Sequence, residues 1–274
     1  MDTPRVGSLF DRVAGDYEAV WDSEFGTIND DLHALLELRP GQRLLDVACG
    51  HGGPLISMAR QAGASKRVVG VDLSARMIDE ARAKATRVAA ELHIEFIHAD
   101  MEHFTQDPMN LRAFDVVTLR FGLAYMPAAE GVQNVAKLVA PGGQLGIITS
   151  TWRSLWQVST VAQEAARDLG MMLPPQVHQV PRDESDLRAR LTTAGLTPLK
   201  VVPKTLTLLR DSGAECVQFL RDSGYVIHPE VEAMPEAMKD LAQAELGRRM
   251  DERYKRPDGK TPLDFDLLLA VARA

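Results

Sequence analysis

Acidic residues stand at the ends of three short apolar runs in the N-terminal part of the chain. Asp46 lies in LLDV just before the glycine-rich turn ACGHGG, Asp72 ends RVVGVD, and Asp100 ends IEFIHAD. A carboxylate at the mouth of such a turn would repel a pyrophosphate and attract an ammonium group. Asp72 could accept hydrogen bonds from both hydroxyls of a ribose, and Asp100 could accept one from an adenine amino group. Each could instead be a helix cap or a solvated turn residue, but together they favour a nucleoside ligand that carries an ammonium group and no phosphate.

The glycine-rich turn differs from the fingerprint of dinucleotide-binding proteins. It reads Gly50-x-Gly52-x-x-Leu55, so the third glycine of that fingerprint is missing. Glycine is expected in the turn because the backbone must approach a ligand closely. Asp72 would suit NAD as well as adenosine. An NAD(P)-dependent oxidoreductase is therefore the alternative enzyme, opposed by Asp46 and by the missing glycine.

Five short apolar runs alternate with helical patterns between Gly41 and Thr149. The predicted strands are Arg43–Val47, Arg67–Asp72, Ile94–Asp100, Phe114–Arg120 and Gly143–Ser150. They are rich in Val and Ile and apolar on both faces, as strands of a covered parallel sheet must be. The helical pattern between the second and third strands has Ser74 as its expected N-cap. This alternation predicts an α/β fold with a doubly wound, Rossmann-like sheet.

The alternation breaks after Ser150. DESDLRARLTTAGL then predicts a helix, and LTPLKVVPKTLTL and LDFDLLLAVARA predict two further strands, which brings the sheet to seven strands. We expect a single domain over residues 1–274, with an N-terminal helical segment at 1–40. Two insertions are expected at 151–182 and 212–258.

Composition limits the partners of the chain. Its 274 residues carry a formal net charge of −7, so no basic field is available to gather nucleic acid or anionic lipid. No apolar stretch is long enough to span a membrane, and the N-terminus lacks the apolar core of a signal peptide. With Cys49 and Cys216 as the only cysteines, we expect a cytoplasmic protein that binds neither nucleic acid nor membrane. Its oligomeric state is open.

Four motifs together resemble the class I S-adenosylmethionine-dependent methyltransferases. They are LLDVACGHG, VVGVDLSARMIDEAR, HADMEHF and FDVVTLRFGLAYMPAAEGVQNVAKLVAPGGQLGI. The upstream FDRVAGDYEAVW is similar to the N-terminal helix of the subgroup related to ubiquinone and menaquinone biosynthesis. The resemblance covers residues from about Phe10 to Thr149 and implies S-adenosyl-L-methionine as cofactor, S-adenosyl-L-homocysteine as product, and an antiparallel last strand.

The resemblance also implies roles for individual residues around the cofactor. The turn after the first strand would line the methionine moiety, Asp72 would hold the ribose, and Arg120 would close over the cofactor. The implied cofactor-binding residues are Tyr17, Asp46, Ala48, Cys49, Gly50, Gly52, Asp72, Leu73, Met77, Asp100, Met101 and Arg120.

Methyl transfer from a sulfonium is an in-line displacement that depends chiefly on positioning and needs no metal. A hydroxyl or phenol acceptor would also benefit from a base. The candidate bases are His178, Tyr125 and His51, although packing or surface roles are common for such residues. His93 and His98 should point to opposite faces of a strand, so we predict no metal site there.

The acceptor is expected to contact the two insertions. Trp152 and Trp156 would share one helical face, and the predicted acceptor pocket comprises Trp152, Trp156, Met171 and Tyr225. The basic run Gly247–Arg256 is a solvated helix end or, less favoured, a site for a phosphorylated acceptor. The sequence thus predicts methyl transfer to a small, mostly apolar or aromatic molecule. A non-catalytic S-adenosylmethionine-binding protein with a regulatory or interaction role remains the third possibility.

Overall fold

The computed structural model describes residues 3–126, 130–168, 170, 179–224 and 236–274. The chain divides into two compact units. The first comprises Met1–Trp152, His178–Lys204 and Leu268–Ala274, and the second comprises Arg153–Val177 and Thr205–Leu267. Most of the two predicted insertions therefore belongs to the second unit.

A seven-stranded sheet with the order β3-β2-β1-β4-β5-β7-β6 forms the framework of the protein. The strands are β1 (Arg43–Val47), β2 (Arg67–Asp72), β3 (Ile94–His98), β4 (Phe114–Arg120), β5 (Val139–Ser150), β6 (Thr197–Arg210) and β7 (Thr261–Arg273). Strands β1 to β5 pair in parallel. The predicted doubly wound sheet is confirmed, but β3 ends before Asp100, and β5 begins earlier than the predicted Gly143.

The last strand runs antiparallel to its neighbour β5, as the resemblance implied. The Gly142 N–H donates to the Ala274 carbonyl at 2.9 Å, and the Ala274 N–H donates to the Gly143 carbonyl at 3.1 Å. The start of β5 thus pairs with the end of β7. Both β6 and β7 run from one compact unit into the other.

Helices separate the strands and follow the predicted pattern. The helices are α1 (Thr3–Leu35), α2 (Gly53–Ala62), α3 (Ala75–Val88), α4 (Met101–Gln106), α5 (Gly131–Ala136), α6 (Trp156–Asp168), α7 (Glu184–Thr193), α8 (Gly213–Asp222) and α9 (Glu236–Tyr254). Ser74 is the N-cap of α3, and its hydroxyl accepts a hydrogen bond from the Met77 N–H at 3.1 Å, which confirms that prediction. The N-terminal segment contains one 33-residue helix.

The core of the first unit lies on both faces of the central strands. The successive residues Leu44 and Leu45 on β1, and Val116 and Val117 on β4, are completely buried. Burial on both faces requires apolar side chains at successive positions rather than at alternate ones. This explains why the runs read as continuous apolar sequence.

The second unit is held by helix packing and by ion pairs. Helices α8 and α9 approach so closely that a Cβ at Gly213 would overlap the Gly247 carbonyl. The arginines of the basic run are paired with carboxylates: Arg248 with Glu245 and Glu252, Arg249 with Glu245 and Asp168, and Arg253 with Glu164. This pairing favours the solvated helix end over a phosphate site.

Gly70 on β2 offers a test of the packing beneath the ligand edge of the sheet. An added Cβ would lie 2.8 Å from the Phe96 ring, 2.9 Å from the Cys49 sulfur and 3.0 Å from Leu55. Because three packed side chains would have to shift, we expect Gly70→Ala to lower the free energy of unfolding in urea by about 1–3 kcal/mol. The control is Gly15→Ala on α1, where nothing lies within 4 Å of the new methyl group. This helical substitution should raise stability by about 0.5–1 kcal/mol. Equal effects at both positions would contradict the packing around Gly70.

Candidate functional site

The turn after β1 has the backbone geometry of a loop that wraps a ligand. Ala48, Gly50 and Gly52 all have positive φ, at 55°, 52° and 78°. Gly52 caps the N-terminus of α2, and a Cβ there would lie 2.9 Å from the Phe96 ring. Glycine at position 52 is therefore required by both the backbone angle and the packing. The loop brings backbone N–H groups and the start of α2 to the carboxyl edge of the sheet.

Asp72, at the end of β2, connects this loop to the next one. Its carboxylate accepts hydrogen bonds from the Gly50 N–H at 2.8 Å and from the Ser74 N–H at 2.9 Å. Desolvation raises the pKa of the Asp72 carboxyl, and the like charge of Asp46 adds to the shift, whereas the backbone donors oppose it. The sequence predicted only a ligand contact for Asp72. The structure shows that the same carboxylate also orders the loop.

Asp46 is not the unpaired carboxylate that the sequence argument assumed. One carboxylate oxygen accepts from the Thr118 hydroxyl at 2.8 Å, and the other pairs with the Arg120 guanidinium at 2.5 Å. The Asp46 and Arg120 side chains are only 1% and 5% exposed. Because the two charges neutralise each other, the expected attraction of Asp46 for an ammonium group is largely cancelled.

His33 on α1 completes this buried network. Its Nε2 atom lies 3.2 Å from Arg120 Nη1, and its Nδ1 atom lies 3.3 Å from the Gln61 side-chain amide. Arginine only donates hydrogen bonds, so Nε2 must be the acceptor and the ring proton must sit on Nδ1. The Gln61 amide then faces Nδ1 with its oxygen. Burial, together with the charge of Arg120, lowers the pKa of His33 to about 3. His33 is therefore neutral.

Aromatic side chains line a cleft between α1 and the loop after β1. Tyr17, Trp21, Phe25 and Asn29 form a stripe along one face of α1 and contribute one wall, with the Trp21 ring stacked on Tyr17 at 5.5 Å. The opposite wall consists of Ala48, Cys49, Gly50, His51, Pro54, Arg120 and Phe121. The rings of Trp21 and Phe121 lie 5.0 Å apart. The cleft thus combines an apolar, ring-lined wall with the Arg120 guanidinium.

His51 fits a structural role better than that of a base. Its Nδ1 atom lies 3.2 Å from the Lys84 ammonium and accepts from the Gly53 N–H at 3.4 Å. Both neighbours are donors, so Nδ1 is the acceptor in these contacts. The Lys84 ammonium also pairs with Glu18 at 3.0 Å.

The Cys49 thiol is a poor nucleophile in this environment. Cys49 is only 4% exposed. Burial raises the pKa of its thiol well above the ordinary value, and the charges of Asp72 and Asp46 add to the shift. Cys49 therefore contributes a small apolar surface to the loop.

The remaining predicted cofactor residues lie on the loops after β2 and β3. Met77 is buried on α3, and the Leu73 carbonyl lies 3.0 Å from His98 Nε2. The Asp100 carbonyl accepts from the Phe104 N–H at 2.9 Å in the first turn of α4. Met101 packs against the core of the first unit. These positions stay predictions for cofactor binding.

The predicted bases and acceptor residues are dispersed or undescribed. Tyr125 lies in a short 3-10 turn, with its ring edge-on to Phe10 at 5.1 Å. His178, Met171 and Tyr225 fall outside the described residues. The expectation that Trp152 and Trp156 share a helical face is wrong, because α6 begins only at Trp156. Trp156 packs edge-on against Tyr254 at 5.3 Å.

Besides Pro54, sequence reasoning missed six residues of the site. A four-residue period runs along α1 from Tyr17 to His33 and could have revealed most of them. Thr118 and Phe121 flank Arg120 at the end of β4, where no simple pattern marks them. The missed residues are Trp21, Phe25, Asn29, His33, Thr118 and Phe121.

The described residues contain neither a cluster for a metal ion nor a helix that could span a membrane. Among them, no group of three or more His, Cys, Asp or Glu side chains is placed to hold a metal ion. Within the same residues, no helix combines the length and apolar character needed to cross a membrane.

His33 links the stability of the protein to pH. Its pKa falls from 6.5 to about 3 on folding, so below pH 6.5 the unfolded chain binds a proton that the folded chain does not. Stabilisation is complete above pH 6.5 and is lost as the pH falls toward 3. Between pH 7.5 and 5, we expect the wild type to lose about 2 kcal/mol more unfolding free energy in urea than His33→Gln does. His93→Asn, which changes an exposed histidine, should follow the wild type. Equal pH slopes for the wild type and His33→Gln would contradict a buried neutral ring.

Part of the chain is similar to known methyltransferases. Residues 44–143 match the family model described as a methyltransferase domain. A demethylmenaquinone methyltransferase of Lactobacillus johnsonii is 31% identical over 151 residues, which cover 53% of this chain and 61% of that protein. A nocamycin O-methyltransferase of Saccharothrix syringae is 34% identical over 140 residues, which cover 51% of this chain and 49% of that protein. The chain thus spans less than two thirds of the length of these curated relatives.

Solved structures share the fold at low sequence identity. The [4+2]-cyclase SpnF is 18% identical with a TM-score of 0.62, and the match covers 100% of this chain and 97% of that one. A geranyl diphosphate C-methyltransferase from Streptomyces coelicolor A3(2), in complex with Mg²⁺, geranyl diphosphate and S-adenosyl-L-homocysteine, is 18% identical with a TM-score of 0.53. That match covers 90% of this chain and 78% of the other. Over residues 44–143 the chain thus matches a methyltransferase domain, demethylmenaquinone methyltransferases are among its relatives, and its seven-stranded sheet has the fold of these solved structures.

Proposed function

We propose that this protein transfers a methyl group from S-adenosyl-L-methionine to a small, mostly apolar or aromatic molecule. The observation that carries the proposal is the position of Asp72. Its carboxylate stands at the carboxyl end of β2 and orders the glycine loop of the matched methyltransferase domain. In an open α/β sheet this edge is where a nucleoside is bound. The named relatives support methyl transfer as the reaction.

The residues of the first unit fit the chemical groups of this cofactor. Asp72 offers a carboxylate to the ribose hydroxyls, and Asp100 and Met101 stand at the next strand end for the adenine edge. The loop from Ala48 to Gly52 would face the amino-acid portion, with Tyr17 above it. Asp46 would contribute indirectly, by holding Arg120 in place, because its carboxylate is already bound to that guanidinium.

The protein's contribution to catalysis would be positioning and the exclusion of water. When bound, the cofactor supplies a methyl group on a positively charged sulfur, ready for in-line displacement. The rings of Tyr17 and Trp21 present π-faces that favour a nearby cation by about 0.5–2 kcal/mol. A free amine acceptor would need no assigned base, and Tyr125 and His178 stay candidates for a hydroxyl acceptor.

We propose that the choice of acceptor depends on residues 151–182 and 212–258. The matched family domain ends at residue 143, so the chain beyond it is where this protein differs from the shared domain. Trp152 and Trp156 are 52% and 45% exposed, and such large side chains would supply apolar contact area to an acceptor. The relatives are named a demethylmenaquinone methyltransferase and a nocamycin O-methyltransferase, and these names support a small-molecule acceptor without specifying it.

Two alternatives make different predictions about ligands. An NAD(P)-dependent oxidoreductase would bind a dinucleotide, against which the missing third glycine and the matched family both argue. A non-catalytic S-adenosylmethionine-binding protein would bind the cofactor and transfer nothing. The fold itself does not decide between transfer and other chemistry, since SpnF has a similar fold and is named a cyclase.

Calorimetry with S-adenosyl-L-homocysteine tests the cofactor assignment. We expect binding at low micromolar affinity or tighter and no measurable binding of NAD. Asp72→Asn removes a charged acceptor, so affinity should fall about tenfold or more. Asp79→Asn, on the exposed face of α3, is the matched control and should bind as the wild type does. Binding of NAD in place of S-adenosyl-L-homocysteine would overturn the assignment.

Trp156→Ala tests the proposed role of the insertions. We expect slower transfer of labelled methyl groups from S-adenosyl-L-methionine to small molecules of a cell extract. The affinity for S-adenosyl-L-homocysteine should stay within about 0.5 kcal/mol, as for sites without shared partners. Met109→Ala removes an exposed apolar side chain outside both segments and serves as the control. The reverse pattern, with cofactor affinity lost and transfer at saturating cofactor unchanged, would argue against an acceptor role.

A further inference from the structure

Phe121 is held in a backbone conformation that side chains of its size rarely adopt. It directly follows β4 with φ 58° and ψ −15°, in the left-handed region that disfavours bulky residues. Its N–H donates to the Ile148 carbonyl of β5 at 2.8 Å, so the neighbouring strand fixes this conformation. Strained backbone of this kind persists where the surrounding structure enforces it, and it is concentrated at ligand sites. The strain therefore points to a ligand-binding role for the Phe121 ring.

The Phe121 ring joins two rings of α1 in one aromatic surface. Its centroid lies 5.0 Å from that of Trp21 and 5.3 Å from that of Phe25, and the two α1 rings lie 4.2 Å apart. Phe25 is buried, whereas Trp21 and Phe121 are partly exposed and line the cleft. Aromatic side chains pack favourably against other rings in offset-stacked or edge-on arrangements. The exposed parts of this surface therefore suit a planar aromatic ligand.

Asn29 adds a polar group at the far end of the same stripe. It lies one helical turn beyond Phe25 and lines the cleft. Within the described part of the chain, no residue forms a hydrogen bond with its side chain. A carboxamide can donate and accept hydrogen bonds, so Asn29 can bind either a carbonyl or a hydroxyl oxygen.

The charges around this surface favour an uncharged ligand. Among the described lining residues there is no carboxylate, and Arg120 is the only arginine or lysine. The charge of Arg120 is neutralised by its buried ion pair with Asp46 at 2.5 Å. A charged ligand would lose its hydration here without gaining an opposite charge.

The aromatic surface lies on the side of β1 where an acceptor would approach. The acidic ends of β2 and β3, proposed to bind the nucleoside, lie on one side of β1, whereas β4 and Phe121 lie on the other. Tyr17 begins the stripe beside the loop after β1, because a Cβ at Gly50 would lie 3.8 Å from its ring. From Trp21 to Asn29 the stripe continues for about 12 Å along the helix. In-line displacement requires the acceptor to face the methyl group from the side opposite the sulfur.

We propose that Trp21, Phe121 and Asn29 bind the methyl acceptor, and that this acceptor is an uncharged planar aromatic molecule with a hydroxyl or carbonyl oxygen. The two rings pack against its flat face, and the Asn29 amide forms a hydrogen bond with its oxygen. The inference rests on the proposed function and deepens it, because it names the chemical class of the acceptor. It also adds residues of the first unit to those expected to determine acceptor choice.

Equilibrium dialysis of three probes against the complex with S-adenosyl-L-homocysteine tests the proposal. The probes are the alpha isomers of naphthol, methylnaphthalene, which replaces the hydroxyl by a methyl group, and decahydronaphthol, which keeps the hydroxyl on saturated rings. We expect the wild-type complex to bind naphthol. In Asn29→Leu, the preference for naphthol over methylnaphthalene should fall about two- to tenfold, because one hydrogen bond is lost. In Phe121→Leu, the preference for naphthol over decahydronaphthol should fall by about the same factor, because one ring contact is lost.

The control is Thr27→Leu, which places the same side chain on an exposed position of α1 outside the cleft. It should leave both preferences unchanged. Asn29→Leu should bind S-adenosyl-L-homocysteine as tightly as the wild type does. If Phe121→Leu does not fold, Trp21→Leu takes its place and should show the same loss of preference for the aromatic probe.

Each contrary result has a distinct meaning. A wild-type complex that does not bind naphthol would overturn the acceptor site while leaving the proposed function intact. Unchanged preferences in the variants, or equal losses for all three probes, would show at most a structural role and would also overturn the inference. Failure of the wild type to bind S-adenosyl-L-homocysteine would overturn the proposed function itself.

Discussion

The ion pair between Asp46 on β1 and Arg120 on β4 is the constraint on which the cleft depends. Burying two charges costs several kcal/mol per ion, and only good geometry with additional hydrogen bonds offsets that cost. Thr118 supplies one such bond to the carboxylate, and His33 supplies one acceptor to the guanidinium. Removing any member would leave a buried charge or donor unsatisfied. The pair therefore fixes two neighbouring strands and the helix that carries His33 in one arrangement.

Polar contacts join helix α1 to α3 and to β4 at several points along its length. Near its start, the Asp11 carboxylate accepts from the Ser74 hydroxyl at 2.6 Å and from the Arg76 N–H at 3.2 Å. Further along, Glu18 pairs with Lys84 of α3, and His33 contacts Arg120. Between these attachments lies the aromatic stripe that forms one wall of the cleft. The polar contacts thus set the rotation of α1, and the rotation decides which side chains face a ligand.

The fold and the proposed function of this protein are inferred from different observations. The fold is shared with a cyclase as well as with a methyltransferase, so the fold alone names no reaction. The match to a methyltransferase domain covers residues 44–143, which contain the glycine loop, Asp72, Asp100 and Arg120. The proposed acceptor segments lie beyond this range. Such a division is expected where a common cofactor is bound by one conserved framework and each acceptor requires its own surface.

Sequence alone determined which segments form the central strands, the glycine turn and the acidic residues near three strand ends. These are local features, because burial on both faces imposes apolar runs and a tight turn imposes glycine. It could not determine that Asp46 is neutralised by Arg120, since the two residues are distant in the chain and meet only when β1 pairs with β4. Nor could it show that His33 reaches the same site, because this depends on the rotation of α1 against the sheet. It predicted a shared helical face for Trp152 and Trp156, which fails because the helix begins at Trp156. Strand ends and turns follow from local chemistry, whereas the charge that a ligand meets depends on which distant side chains the tertiary structure brings together.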